Sequence, residues 1–175
     1  MMSKLLKDKK NSMLLKLIII LSVIFIYRPL YAVKANPPHV KEYQKCPVCG
    51  MRVLKLTNWH TQIVYSDGVS DAFCAVKCLM AFYLEHLKYC EKKKSDSIRE
   101  LYARDYYSQS WHEMKSMFFV SGSDVLGPMG KDLIPFADIG KAKIFFEDHN
   151  GRRILKFDEI TLVLIKELRN KKISD

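Results

Sequence analysis

The sequence is poor in the residues that loosen a chain. Seven glycines and six prolines in 175 residues are too few for a flexible linker protein, and no segment is of low complexity. Long apolar runs are also missing. The main one, Leu17 to Tyr27, covers eleven residues and is interrupted by Ser22. Eleven residues of helix rise about 16 Å against a hydrocarbon core of ~30 Å, which excludes a polytopic membrane protein. No GxSxG, HExxH or phosphate-type glycine loop occurs, so the common hydrolase, metalloprotease and nucleotide-binding chemistries have no foothold and no enzyme is expected. The remaining composition, 49% hydrophobic and 27% charged, is ordinary globular usage and excludes a wholly disordered or collagen-like chain.

The charge is uneven. Of the net charge of +10, residues 1–35 carry +6, through Lys4, Lys7, Lys9, Lys10, Lys16, Arg28 and Lys34 against Asp8. The body is therefore only mildly basic, which is weak support for an anionic partner. A basic start followed by a short apolar run, closed by Arg28-Pro29 and then Val33-Lys34-Ala35, fits a secretory signal peptide cleaved before Asn36. The alternative is an uncleaved N-terminal anchor over Met13 to Tyr31, with Lys16 and Arg28 snorkelling to its edges. The first cysteine is Cys46, too far from the apolar run for a lipoprotein-type acylated cysteine. On either reading the body is exported, to the periplasm or the outer face of the membrane. There, cysteines become disulfides unless something, commonly a metal, protects them. Export also makes nucleic acid an unsuitable partner for Tyr102, Tyr106 and Tyr107, which share one expected strand.

Local pattern points to an α+β fold of two small, similar halves of antiparallel strands and helices, residues 36–97 and 98–175, the first built around a treble-clef-like cysteine knuckle. In the first half, Cys46 to Met51 forms the knuckle. Met51 to Leu56, His60 to Tyr65 and Val69 to Phe73 read as strands, and Cys74 to Glu91 as a helix with Val76, Leu79, Met80, Tyr83 and Leu87 at spacings of three and four. In the second, Ile98 to Tyr107, Met117 to Ser121 and Arg153 to Phe157 read as strands. Ser108 to Trp111 and Gly122 to Phe136 read as loops, Ala137 to Asp148 as a helix, and Asp158 as the cap of a last helix reaching about Lys171.

Four cysteines form two close pairs, Cys46/Cys49 and Cys74/Cys78. Pro47 restricts the first turn and Gly50 relaxes it. A spacing of four at a helix start puts the sulfurs of the second pair on one face, where the helix dipole favours thiolate. Knuckle, hairpin and helix start together point to a four-thiolate site for a soft metal. Two structural disulfides remain an alternative reading of the same spacing, as does, more weakly, a dithiol redox site at Cys46/Cys49. Cys90 falls on the helix's apolar side and is expected to be a buried thiol.

Methionine refines the metal. Met51 follows Cys49 by two, and in a strand both would face one side. A thioether beside a thiolate favours Cu(I) over Zn(II). Met129, between Pro128 and Gly130, is either a second thioether ligand or a loop residue covering the core. Met80, Met114 and Met117 are expected to pack, and His60, His86, His112 and His149, each alone in the sequence, to lie at the surface rather than to ligate.

Taken together, Cys49-Gly50-Met51 with Val53, Phe119-Val120-Ser121-Gly122-Ser123-Asp124-Val125, Gly127-Pro128-Met129-Gly130, Pro135-Phe136, Ala142 with Phe145-Phe146, His149-Asn150-Gly151 and Leu155 to Ile160 resemble the NosL family, the nitrous oxide reductase accessory proteins. The resemblance covers roughly residues 43–165. It implies an extracytoplasmic Cu(I)-binding protein that delivers copper to a client cuproenzyme, nitrous oxide reductase in typical members, in company with an ABC-type transporter. It makes Cys49 and Met51 the first ligands, through the family's Cys-x-Met motif, and Met129 a second-rank one, through its GxMG motif. Cys46, Cys74 and Cys78 depart from that pattern and resemble YHS- or TRASH-type metal modules, which keeps zinc open beside Cu(I).

Overall fold

The computed structural model describes residues 37–89 and 97–170. The signal or anchor segment and Cys90 lie outside the described residues. Among the described residues no helix is long and apolar enough to cross a membrane.

Among the described residues the fold is α+β, with two antiparallel sheets and four helices. Strands β1 (Thr61–Tyr65), β2 (Ser70–Phe73), β3 (Ile98–Arg104) and β4 (Trp111–Glu113) form a sheet ordered β2-β1-β3-β4. Strands β5 (Phe118–Ser121), β6 (Leu133–Phe136) and β7 (Arg153–Lys156) form a second, ordered β6-β5-β7. Helices α1 (Val76–Leu84) and α2 (His86–Tyr89) follow β2, α3 (Ile139–Asp148) follows β6, and α4 (Leu162–Asn170) closes the described chain. β3, which the sequence assigns to the second half, pairs with β1 through Gln62↔Tyr102, Ile63↔Leu101 and Val64↔Glu100. The first sheet therefore draws strands from both sides of residue 97.

One apolar cluster joins both sheets. Ile63 and Tyr65 of β1, Phe73 of β2, Leu79 and Phe82 of α1, Leu101 of β3, Phe119 of β5, Leu133 of β6 and Ile165 of α4 all belong to it. β1 is central, and all five of its residues are buried. The next residue along β5, Val120, points the other way, into a smaller cluster with Ile134, Phe136, Ala142 and Phe145 beneath α3. This is the period-two alternation of a strand buried on both faces. Met80, Met114 and Met117 pack in the main core.

Several local expectations are corrected. Met51 to Leu56 alternates like a strand but folds as a single bridge, Lys45↔Arg52, followed by a 3-10 turn over Val53–Leu56. The reason is downstream: the amides of Trp59 and His60 both return to the Leu56 carbonyl, at 2.9 and 3.0 Å. β6 was masked by Pro135. It is an edge strand, where a residue without an N–H is tolerated, and the Pro135 carbonyl accepts from the Tyr106 amide at 2.9 Å. Trp111 starts β4 rather than ending a loop. Asp158 falls in a 3-10 turn, and the last helix starts at Leu162, with Thr161 Oγ1 accepting from the Leu164 amide at 3.3 Å. His60 and His86 are buried, not superficial.

Asp105 joins the two sheets. It is 2% exposed at the end of β3. Its Oδ1 accepts from the Tyr107 and Ser108 amides at 3.1 and 2.8 Å and from Ser108 Oγ at 2.9 Å, and its Oδ2 from the Ala137 amide at 2.8 Å, just after β6. Burial alone would raise its pKa. The amides of Ser108 and Ala137, the Ser108 hydroxyl and the charge of Lys141 outweigh burial and hold it below the ordinary value. A depressed carboxylate pKa adds stability above the unfolded-state value, and that stability is lost as pH falls through the folded one. Asp105→Asn puts an N–H donor where one carboxylate oxygen accepted. It is expected to cost about 2–3 kcal/mol in urea unfolding at neutral pH, and to lose less stability than the wild type on acidification below about pH 4.

Candidate metal centre

Three pieces of backbone supply the four sulfurs. The knuckle brings Cys46 and Cys49. The Cys46 amide donates to the Met51 carbonyl at 2.8 Å, and the Gly50 amide to the Cys46 carbonyl at 2.9 Å. Gly50 has φ +76°, the left-handed region that glycine enters without strain. Cys74 follows the last residue of β2. It precedes α1 rather than opening it, because Ala75 is fully extended (φ −169°, ψ 179°) as the helix N-cap. Cys78 lies in the first turn of α1. The two sulfurs converge through this sharp strand-to-helix junction, not through shared helical periodicity.

The four Sγ atoms all lie within 4.8 Å of one another, with Cys49 Sγ and Cys74 Sγ at 3.5 Å. Thiolates around one tetrahedral zinc at ~2.3 Å stand roughly 3.8 Å apart, so the cluster matches a shared metal with small adjustment. No disulfide links any of the four. Cys46, Cys74 and Cys78 are 2%, 0% and 5% exposed, while Cys49 is partly accessible. Without metal the cluster concentrates negative charge on Cys46. Hydrogen bonds from the Cys74 and Cys78 thiols pull its pKa far down, against burial. Those two thiols are pushed up because they face the Cys46 charge, and burial adds to that. A bound cation would favour the thiolate form of all four and release the remaining protons.

Met51 and Met129 stand in unlike surroundings. Met51 packs, partly buried, against the main core alongside Cys49, and its carbonyl closes the knuckle. The Met129 side chain is 45% exposed. Its loop is pinned to the cysteine helix by Lys77, between Cys74 and Cys78, a residue the sequence did not single out. The Lys77 ammonium, buried at 3% exposure, donates to the carbonyls of Met129 at 2.8 Å, Lys131, and Leu168 at 3.4 Å. The Lys77 amide donates to Asp132 Oδ1 at 2.8 Å, as does the Leu133 amide. Full burial pushes the Asp132 carboxyl up to about 6, against the pull of Lys77 and the two amides. A lone lysine between cysteines and an aspartate before a strand carry no pattern, so only the fold reveals this link. Lys77→Met keeps the stem but strips the carbonyls of a charged donor. It is expected to cost about 1–3 kcal/mol and to speed hydrogen exchange at the Gly127 and Gly130 amides, which bond to each other's carbonyls across the loop.

Comparisons with known proteins agree on one family. The NosL family model matches residues 37–165. The copper-binding lipoprotein NosL of Stutzerimonas stutzeri is 28% identical over 140 residues, covering 75% of this chain and 70% of that protein. The crystal structure of the copper chaperone NosL from Shewanella denitrificans superposes with a TM-score of 0.60 at 22% identity, over 73% of this chain and 97% of that one, which supports the fold. With the family model covering most of its length, the chain belongs to the NosL family.

Proposed function

We propose that the chain is an exported Cu(I) chaperone, not an enzyme, that takes up copper at the cysteine cluster and passes it to a client cuproenzyme. The observation that carries this is the set of four unbridged cysteines with sulfurs within 4.8 Å of one another, in a chain with a relative named as a copper-binding lipoprotein. Cys49 and Met51 are proposed as the first ligands, with Cys46, Cys74 and Cys78 supporting. Soft thiolate and thioether donors select Cu(I) over harder cations. Export rests on the basic and apolar N-terminus and on a relative named as a lipoprotein.

The geometry suits transfer by ligand exchange. Cys49 is the accessible member of the cluster, so a partner's thiolate or thioether meets the cargo on that side. Met51 is neutral, and its displacement leaves no uncompensated charge. The buried cysteines hold the ion until the incoming ligand has bonded. Met129, on the half-exposed loop tied to α1 by Lys77, is proposed as a further thioether on the route. Delivery to nitrous oxide reductase, and cooperation with an ABC-type transporter, are the partner assignments this reading favours.

A second reading has its own support. Four cysteines alone, three of them buried, are also the donor set of a closed structural zinc site. Anaerobic titration of the reduced, full-length chain in detergent with Cu(I) against a competing chelator separates the two. The expected result is tight binding near one equivalent, weakened about tenfold, or ~1.4 kcal/mol, by Met51→Leu and abolished by Cys49→Ser. Zinc held against the same competitor, with unfolding when a zinc chelator strips it and no effect of Met51→Leu, would replace the chaperone reading with the structural one.

A further inference from the structure

The cluster combines close sulfurs with unequal access. Of the four cysteines only Cys49 is partly accessible, and Cys46, Cys74 and Cys78 are no more than 5% exposed. An oxidant arriving from solvent therefore meets Cys49 first. The Cys49 sulfur is in contact with that of Cys74 at 3.5 Å, across 25 residues of chain. A disulfide requires ~2.05 Å between sulfurs, so the pair needs to close by roughly 1.5 Å. The Cys49 side supplies that movement, because it sits in an exposed turn beside Gly50, where an added Cβ would meet nothing within 4 Å. Cys74 is held rigidly between β2 and α1, its neighbours Phe73 and Ala75 buried at 0% and 1% exposure. Cys46 is 2% exposed, out of reach of an oxidant from solvent.

We infer that Cys49 and Cys74 are the oxidation site of the metal-free protein, forming a disulfide that cancels the metal site. The oxidant is a low-molecular-weight or protein disulfide, as the exported setting of the preceding reading would supply. The Cys49 thiolate attacks one sulfur of the oxidant, giving a mixed disulfide and one leaving thiolate. The Cys74 sulfur, giving up its proton as it reacts, then attacks the Cys49 sulfur and expels the second. The two protons of Cys49 and Cys74 pass to the two leaving thiolates. The protein loses two electrons, and the oxidant gains them as two thiols. The bridge removes two of the four sulfur donors, one of them the accessible one, and leaves Cys46 and Cys78 as a buried pair. Oxidation and metal loading thus exclude each other. A dithiol reduction must precede loading whenever the empty protein has met an oxidant.

The test is peptide mapping of the full-length, metal-free chain in detergent after treatment with oxidised glutathione and alkylation of the remaining thiols. Trypsin releases 46–52, which holds Cys46 and Cys49, and 56–77 and 78–88, which separate Cys74 from Cys78 because Lys77 lies between them. The expected product is 46–52 linked to 56–77, with fragmentation placing the bridge on Cys49 and alkyl groups on Cys46 and Cys78. Two of the five thiols should be lost, and prior loading with Cu(I) should suppress that loss. Cys46→Ser should retain the crosslink, and Cys49→Ser should lack it. A bridge within 46–52, a link to 78–88 or to Cys90, or no loss of thiols would overturn the inference. Tight Cu(I) binding with no Cys49–Cys74 bridge would reject this proposal alone, and the bridge without Cu(I) binding would reject the copper reading alone.

Discussion

Everything about this protein turns on bringing four sulfurs to one point while burying three of them. Thiols that close repel one another as soon as more than one ionises, and the fold meets that cost in advance with backbone. Hydrogen bonds inside the knuckle hold Cys46 and Cys49, the end of β2 presents Cys74, and the first turn of α1 presents Cys78. None of the three pieces could hold its sulfurs alone. Each is anchored in the same apolar cluster, through Val53 beyond the knuckle, Phe73 before Cys74, and Leu79 and Phe82 on α1. The apolar core supplies the rigidity, and the site keeps one strained electrostatic arrangement that a cation relaxes.

That arrangement extends past the sulfurs. Lys77 is a buried cation satisfied by carbonyls, and Asp132 is a buried acid whose Oδ1 accepts from two amides while its Oδ2 has no hydrogen-bond partner among the described residues. Between them they fasten the Met129 loop and the end of α4 to the cysteine helix. A buried charge is tolerated where its hydrogen bonds are supplied, as the carbonyls do for Lys77. Asp105 plays the matching part on the other side, holding the β3–β4 turn against the start of α3. The two sheets are therefore joined by one apolar core and by the buried carboxylate of Asp105.

Much of the site was legible in the residues. Two cysteine pairs around a hairpin, with proline and glycine shaping the first, point to convergence without further help, and the motifs from Phe119 to Phe136 point to the family. The elements misread were those governed by partners outside their own segment. Val53–Leu56 abandons its strand-like alternation because Trp59 and His60 hydrogen-bond back to Leu56. β6 hides behind Pro135 because an edge position does not need that residue's missing N–H. His60 and His86 look superficial as lone residues, yet Trp111 packs edge-on to the first at 5.0 Å and Phe82 to the second at 5.2 Å.

The sequence by itself determined the α+β character, the two cysteine pairs that cluster and the family, because these depend on residue type and short-range spacing. Only the tertiary structure decided which sulfur is open to solvent, that Cys74 stands before the helix rather than in it, and that Lys77 and Asp132 tie the Met129 loop to the cysteine helix. Access, contact across 25 residues and the satisfaction of buried charge are properties of chain segments folded against one another. Local spacing carries no record of them.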